Sequence, residues 1–142
     1  MKELYTDKAK QALKYAKKIS KSLGHSYTGT EHILLGLMKQ KESLAGAVLE
    51  GFHVEEAKVL DYIDQLIAPV ELTTLEQGAE YTPRAEKILE DARGEADRFH
   101  KKKIATEHLL IAILKDYECI AAKLLKTLNI NARDVYMEVL NS

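Results

Sequence analysis

Apolar residues recur every three or four positions along most of the chain, the spacing that gathers them on one face of an α-helix. The first of these stretches follows Thr6, a residue type that caps helix starts, and ends near Gly24. Its apolar positions are Ala9, Leu13, Ala16, Ile19 and Leu23. The pattern predicts a first amphipathic helix that Thr6 caps and Gly24 ends.

Three more helices are predicted in the same half of the chain. The second has Thr30 as its expected N-cap, followed by an apolar face. That face consists of Ile33, Leu34, Leu37 and Met38. A short third helix is expected over about 43–50, stopped by Gly51, and a fourth over about 54–67. Together these helices form one unit, residues 1–68.

The four-helix unit is repeated later in the chain. The stretch GTEHILLGL begins at Gly29, and its near copy ATEHLLIAI begins at Ala105, 76 residues later. The same step aligns the two units without a gap. Further matched pairs are Tyr5–Tyr81, Thr6–Thr82, Ala9–Ala85, Leu13–Leu89, Ala16–Ala92, Glu42–Glu118, Ala45–Ala121 and Leu49–Leu125. A second unit is therefore predicted over residues 81–142.

The helices of the second unit follow those of the first. Thr82 is the expected cap of its first helix, and Pro83, with its fixed φ and missing N–H, suits the first helical position. Thr106 is expected to cap the next helix. Two shorter helices are expected over about 119–127 and about 130–140.

The segment PVELTTLEQGAE, residues 69–80, separates the two units. It opens on proline, contains a glycine and lacks a sustained helical period, so it is predicted to be a linker. One unit alone buries little apolar surface, so the two are expected to pack together about a pseudo-twofold axis. The predicted fold is all-α: two tandem four-helix repeats packed as one eight-helix domain.

Composition and charge narrow the function classes. The 21 basic and 22 acidic residues give a net charge of −1, so no global field attracts nucleic acid or an anionic membrane. The single Cys119 has no partner for an internal disulfide, which fits a reducing cytoplasm. The sequence has no apolar run typical of a signal peptide or a membrane span. We therefore expect a cytoplasmic protein with no nucleic-acid or membrane partner.

The repeated Thr-Glu-His motif places acids at two predicted helix starts. Glu31 and Glu107 lie in the first turn, where the helix dipole and unpaired N–H groups favour a carboxylate, and this role alone is one interpretation. His32 and His108 are about 100° further round the helix, so they are expected to bond neighbouring backbone rather than a metal. Zinc, nucleotide and nucleophile motifs are absent from the sequence. No metal site, catalytic residue or bound cofactor is expected.

The paired stretches YTDKA with GTEHILLGL and YTPRA with ATEHLLIAIL closely resemble the twin Clp repeats at the amino terminus of ClpC-type AAA-plus unfoldases, which feed the ClpP protease. The resemblance covers essentially the whole chain. It implies a domain that receives MecA-like and McsB-like adaptors and marked substrates. ATP hydrolysis and ClpP binding would belong to downstream modules outside this sequence. The isolated domain is expected to be a monomer.

For ClpC-like domains the resemblance also implies recognition of phosphoarginine on substrate proteins. Glu31 and Glu107 are then the expected guanidinium-binding residues, because a carboxylate forms a forked pair with that group. Thr6 and Thr82 are the expected phosphate-binding residues, since exposed N–H groups at a helix start hold an anion. Plain capping by both threonines is the alternative. Sequence leaves open whether each threonine serves the acid of its own repeat or of the other.

The second copy departs from the pattern in the loop before its acid. Gly24, Gly29 and Gly36 become His100, Ala105 and Ala112, and HSYTG becomes KKKIA. The three lysines, Lys101, Lys102 and Lys103, either favour a phosphate or form a solvated charge run. These changes put the second site in doubt.

Two other function classes remain open on sequence alone. A purely structural protein–protein docking platform, as the resemblance to ClpA- and ClpB-like chaperones also allows, would not bind phosphoarginine. It predicts that Glu31→Ala lowers stability by about 0.3–1 kcal/mol, as expected for a helix-start acid, and changes nothing else. A small enzyme using the acid–histidine pair would need a third convergent group, and the sequence shows none.

Overall fold

The computed structural model describes residues 4–66 and 80–142, and over these residues the fold is all-α, as predicted. Its helices are α1 (Asp7–Ser22), α2 (Thr30–Lys39), α3 (Leu44–Gly51), α4 (Glu56–Leu66), α5 (Pro83–Arg98), α6 (Thr106–Lys115), α7 (Ile120–Thr127) and α8 (Ala132–Leu140). The predicted linker, apart from Glu80, lies outside the described residues. No helix in the described ranges is long and apolar enough to cross a membrane.

The helix starts confirm several predicted caps. Thr6 and Thr82 cap α1 and α5, with each side chain accepting the N–H three residues on. Two helices begin one residue later than predicted, because the prediction counted the capping residue as part of the helix. Ser43 is the N-cap of α3, and Cys119 is the N-cap of α7. The fourth helix begins at Glu56, two residues later than expected, because His53 turns the chain out of α3.

Four helices end in the same way, with one residue in the left-handed region after the last turn. The four residues are Gly24 (φ 81°), His53 (φ 62°), His100 (φ 59°) and Asn129 (φ 66°), after α1, α3, α5 and α7 respectively. At each end the next N–H bonds back to a carbonyl five residues earlier, as His25 N does to Ser20 O (2.9 Å). Glycine adopts this conformation freely, whereas a histidine there is strained.

The core is built around α2 and α6. Every residue of α2 from Thr30 to Met38 is buried, and so is nearly every residue of α6. Glycine makes this close packing possible at Gly36, where an added Cβ would overlap the carbonyl oxygen of Ala12 in α1. The other helices therefore form a layer around these two.

Two threonines join the repeats, and their predicted role is corrected here. Thr30 and Thr106 are not N-caps, since the N-cap positions belong to Gly29 and Ala105. Thr30 Oγ1 instead accepts from the backbone N–H of Ala121 (3.1 Å), and Thr106 Oγ1 accepts from that of Ala45 (3.3 Å). Each threonine thus helps to cap a helix of the other repeat, because the hydroxyl at the first helical position points outward across the interface. The crossed pair matches a pseudo-twofold axis.

Short parallel bridges make a second crossed connection. Tyr5 pairs with Ile104, and Tyr81 pairs with Thr28. The Thr82 N–H donates to the Thr28 carbonyl at 3.0 Å, and the Thr6 N–H donates to the Ile104 carbonyl at 2.9 Å. The start of each repeat's first helix is therefore fixed beside the loop that leads to the other repeat's acid.

Candidate binding site at Glu31

A small cavity lies where the starts of α2, α5 and α7 meet. Its volume is about 280 Å³, at the small end for ligand sites and suited to a single side chain. Its lining from the first repeat is Tyr27, Gly29, Thr30 and Glu31. Its lining from the second repeat is Thr82, Pro83, Arg84, Glu118, Cys119 and Ile120. The Glu31 cavity therefore brings together the acid of one repeat and the threonine of the other.

Glu31 is among the residues that line the cavity, and its buried carboxylate is unusual in having no hydrogen-bond partner. The residue is fully buried, and neither side-chain oxygen makes a hydrogen bond. Burial raises the pKa of Glu31, and the approach of its own backbone N–H, short of hydrogen-bond geometry, offsets only part of that rise. Buried carboxylates are nearly always paired, so the two unpartnered oxygens of Glu31 are an exception.

His32 is buried beside Glu31 without neutralising it. Its Nδ1 accepts from the Gly29 N–H at 2.8 Å and lies 3.8 Å from a Glu31 oxygen. Burial, helped by nearby His25, lowers the pKa of His32 to about 3, so the ring is neutral. Its proton therefore sits on Nε2 and is donated to His25 Nδ1 at 2.9 Å. The predicted bond to neighbouring backbone is confirmed.

The matching histidine behaves alike in the second repeat. His108 Nδ1 accepts from the Ala105 N–H at 2.9 Å, and the residue is buried. Among the described residues no group of three or more His, Cys, Asp or Glu side chains is placed to hold a metal ion.

The start of α5 supplies donors to the cavity. Thr82 Oγ1 accepts from the Ala85 N–H at 3.0 Å, which leaves its hydroxyl hydrogen for another acceptor. Pro83 has no N–H, so the amide of Arg84 is the first backbone donor of the helix, at the positive end of its dipole. Thr82 thus caps α5 and still has its hydroxyl hydrogen available to donate.

Arg84 adds a positive charge at the rim, and sequence reasoning missed it. Its Nη1 lies 3.2 Å from Asp116 Oδ2, and its Nη2 lies 3.6 Å from Glu118 Oε1. The side chain of Asp116 is only 8% exposed, which fixes the guanidinium in place. The sequence does contain Arg84 in the YTPRA stretch and the repeated acid Glu118, which matches Glu42. No pattern of neighbouring residues showed that Arg84 and Glu118 would lie together.

The corresponding acid of the second repeat lies in a different setting. Thr6 caps α1 by accepting from the Ala9 N–H at 3.2 Å, and its segment contacts the loop before Glu107. Glu107 is partly exposed, in contrast to the fully buried Glu31. The two predicted sites therefore share a backbone frame and differ in the environment of the acid.

The sequence of this chain matches a known protein family. The sequence matches the Clp repeat (R) N-terminal domain family over residues 4–135. The ATP-dependent Clp protease ATP-binding subunit ClpC of Staphylococcus aureus (strain USA300) is 36% identical over 139 residues, which are 96% of this chain and 16% of that protein. This chain therefore spans a small part of the length of that relative.

Solved structures show the same fold. The N-terminal domain of Hsp104 from Candida albicans superimposes with a TM-score of 0.79 at 16% identity, covering 97% of this chain and 90% of that one. A ClpV N-domain in complex with a VipB peptide superimposes with a TM-score of 0.72 at 19% identity, covering 97% and 88%.

The family match begins before α1 and ends within α8, so it takes in both repeats. The matched segment is 16% of the ClpC relative, so these 142 residues correspond to one N-terminal domain of a much longer protein. The chain belongs to the Clp repeat N-terminal domain family.

Proposed function

We propose that this domain recruits adaptor and substrate proteins to a ClpC-type unfoldase, and that its Glu31 cavity takes the phosphoarginine side chain of marked proteins. One observation carries the second part. Glu31, whose buried carboxylate has no hydrogen-bond partner, lines the same cavity as the exposed start of α5. The MecA-like and McsB-like adaptors named by the resemblance remain the proposed protein partners.

The guanidinium half of the ligand suits the Glu31 end of the cavity. A planar guanidinium donates two parallel N–H bonds to a carboxylate, which would satisfy both orphaned oxygens of Glu31 at once. Glu118, on the same lining, is already paired with Arg84 at 3.6 Å, so Glu31 is the acid left for the guanidinium. Because Glu31 is shielded from water, the pair formed there is stronger than one at the surface.

The phosphoryl half suits the opposite wall. The hydroxyl of Thr82 and the amide of Arg84 lie at a helix start, where anions bind. The guanidinium of Arg84 provides a charge of the sign a phosphoryl group needs. The cavity thus carries acid on one side and donors on the other, which matches a ligand with both charges. Arginine and phosphoserine each satisfy only one half.

The relatives agree with a recruiting role. The ClpC relative is named as a subunit of a protease, and the ClpV N-domain has been solved with a peptide of VipB. The first name describes a subunit of a protease, and the second describes a domain of this fold in complex with a peptide. We carry that role to this chain as part of the proposal.

Calorimetric titration of the folded domain with phosphoarginine at neutral pH tests the proposal, with arginine and phosphoserine as controls. We expect heat with phosphoarginine and none of comparable size with the controls. Glu31→Gln should abolish it, because the amide no longer accepts both guanidinium bonds. The matched control Glu90→Gln, an exposed acid on α5, should leave it intact. A folded domain that gives no heat with any of the three ligands would leave a docking platform without phosphoarginine binding as the better account.

A further inference from the structure

We infer that the domain has one phosphoarginine-binding cavity and not two. Gly29 is the positioning residue that determines which of the two acids, Glu31 or Glu107, can bind the guanidinium. This inference rests on the proposed function of the Glu31 cavity. Gly29 thus determines specificity although it has no side chain with which to contact a ligand.

The two helix starts have the same backbone. Gly29 has φ −104° and ψ −176°, and Ala105 has φ −106° and ψ 175°, which is extended backbone open to any residue. In each repeat the N–H at this position donates to the histidine three residues on, at 2.8 Å and 2.9 Å. Glycine at position 29 is therefore not required by backbone conformation.

Space beside the acid is what requires glycine there. A Cβ added to Gly29 would lie 2.6 Å from Glu31 Oε1 and 3.0 Å from Glu31 Oε2. The carboxylate of Glu31 thus occupies the room that a side chain would fill. Glu31 can reach its buried position only because residue 29 has no Cβ.

In the second repeat that Cβ is present on the same backbone. Ala105 therefore denies Glu107 the position that Glu31 holds, and Glu107 is accordingly partly exposed. An exposed carboxylate is already hydrated, and its pairing with a guanidinium is weak and screened by salt. Glu107 therefore lacks the burial that would strengthen a pair between its carboxylate and a guanidinium.

The phosphate side of the second site is altered as well. Where α5 begins Thr82-Pro83-Arg84, α1 begins Thr6-Asp7, so a carboxylate stands at the first helical position. The side chain of Asp7 is 89% exposed. A negative charge at this point repels the anion that the helix start would otherwise attract. Lys8 keeps a cation at the position that matches Arg84, 3.9 Å from Glu42, so Asp7 is the change that disfavours the anion on this side.

Stoichiometry in the calorimetric titration tests the inference. We expect one phosphoarginine per chain in the wild-type protein and still one in Glu107→Gln. Gly29→Ala should weaken binding by about tenfold or more, because Glu31 is pushed out to a hydrated position like that of Glu107. The clash at Gly29 is with the mobile end of a side chain, so this variant should fold, and circular dichroism checks that it does.

The converse variant sharpens the test. Ala105→Gly with Asp7→Pro gives the second repeat the two features of the first, and it should raise the count from one ligand to two. Two ligands per wild-type chain, or one that is lost with Glu107→Gln and kept with Glu31→Gln, would overturn the inference while leaving phosphoarginine binding in place. No binding by the folded wild-type protein would overturn the proposed function itself, and the inference with it.

Discussion

The hydroxyl of Thr30 accepts a hydrogen bond from the backbone N–H of Ala121, 3.1 Å away in space and 91 residues away in sequence. The reciprocal bond runs from Ala45 N–H to Thr106. Both threonines are buried, so water does not replace either bond when it is lost. The repeats are therefore joined by polar contacts as well as by their apolar core.

Thr30→Val should destabilise the domain by about 1–2 kcal/mol. The substitution keeps the shape of the side chain and leaves the buried Ala121 amide without an acceptor. Urea unfolding followed by circular dichroism measures the change. Thr127→Val is the matched control, because the hydroxyl of Thr127 bonds an exposed carbonyl in its own helix, and we expect a change within about 0.5 kcal/mol. Equal effects at the two positions would contradict a structural role for the crossed bond.

Glu31→Gln should stabilise the free domain at neutral pH, and the gain should grow as pH rises. Burial raises the pKa of Glu31 above 4.5, its ordinary value. Between these two pKa values the folded state holds a proton that the unfolded state has released, so wild-type stability falls as pH rises through that window. The variant has no such proton to lose. Above the raised pKa the difference between the two proteins should become constant.

Urea unfolding of both proteins from about pH 5 to about pH 8 provides the measurement. The docking-platform hypothesis expects the acid to stabilise its helix start, so removing it should lower stability. A variant less stable than wild type at neutral pH would therefore favour that hypothesis over a buried receiving group.

Gly36→Ala should destabilise the domain by about 1–3 kcal/mol. The new methyl group would overlap the carbonyl oxygen of Ala12, and backbone atoms cannot turn aside as a flexible side chain can. Helices α1 and α2 would have to separate. Gly94→Ala is the control, since a Cβ there meets nothing within 4 Å. It should stabilise α5 by about 1 kcal/mol through helix propensity, so thermal melts of the two variants should shift in opposite directions.

His100→Gly should stabilise the domain by about 0.5–1 kcal/mol. His100 adopts φ 59° at the end of α5, a conformation that costs a residue with a side chain about 1–2 kcal/mol. Part of that gain is offset by the greater freedom of glycine in the unfolded chain. Asn129→Gly, at the equivalent end of α7, should change stability less, because asparagine tolerates this conformation. A larger gain at Asn129 than at His100 would show that strain is not the cause.

Local patterns predicted the helices and two of the caps. Apolar spacing located the helices to within about two residues, and Thr6 and Thr82 cap α1 and α5 as expected. These features depend on residues only a few positions apart. The gap-free repeat also predicted the pseudo-twofold pairing, because a duplicated unit has one apolar face to bury.

The site could be predicted only in part, because its parts lie far apart in sequence. Glu31 and Thr82 were both expected to bind ligand, yet only the fold shows that they line one cavity. Thr30 resembles a cap until its partner at Ala121 is known. The ion pairs of Arg84 with Asp116 and Glu118 cross more than thirty residues. Burial of Glu31 also depends on the volume left at Gly29, which no residue pattern measures.

The crossed bonds of Thr30 and Thr106 have the geometry of an isologous dimer, in which each subunit offers the same patch to the other. In a dimer of identical chains, every substitution appears in both cavities at once. Joining the two units in one polypeptide removes that constraint. Alanine can then stand at position 105 while glycine stays at position 29, so one repeat keeps its buried acid and the other is free to change.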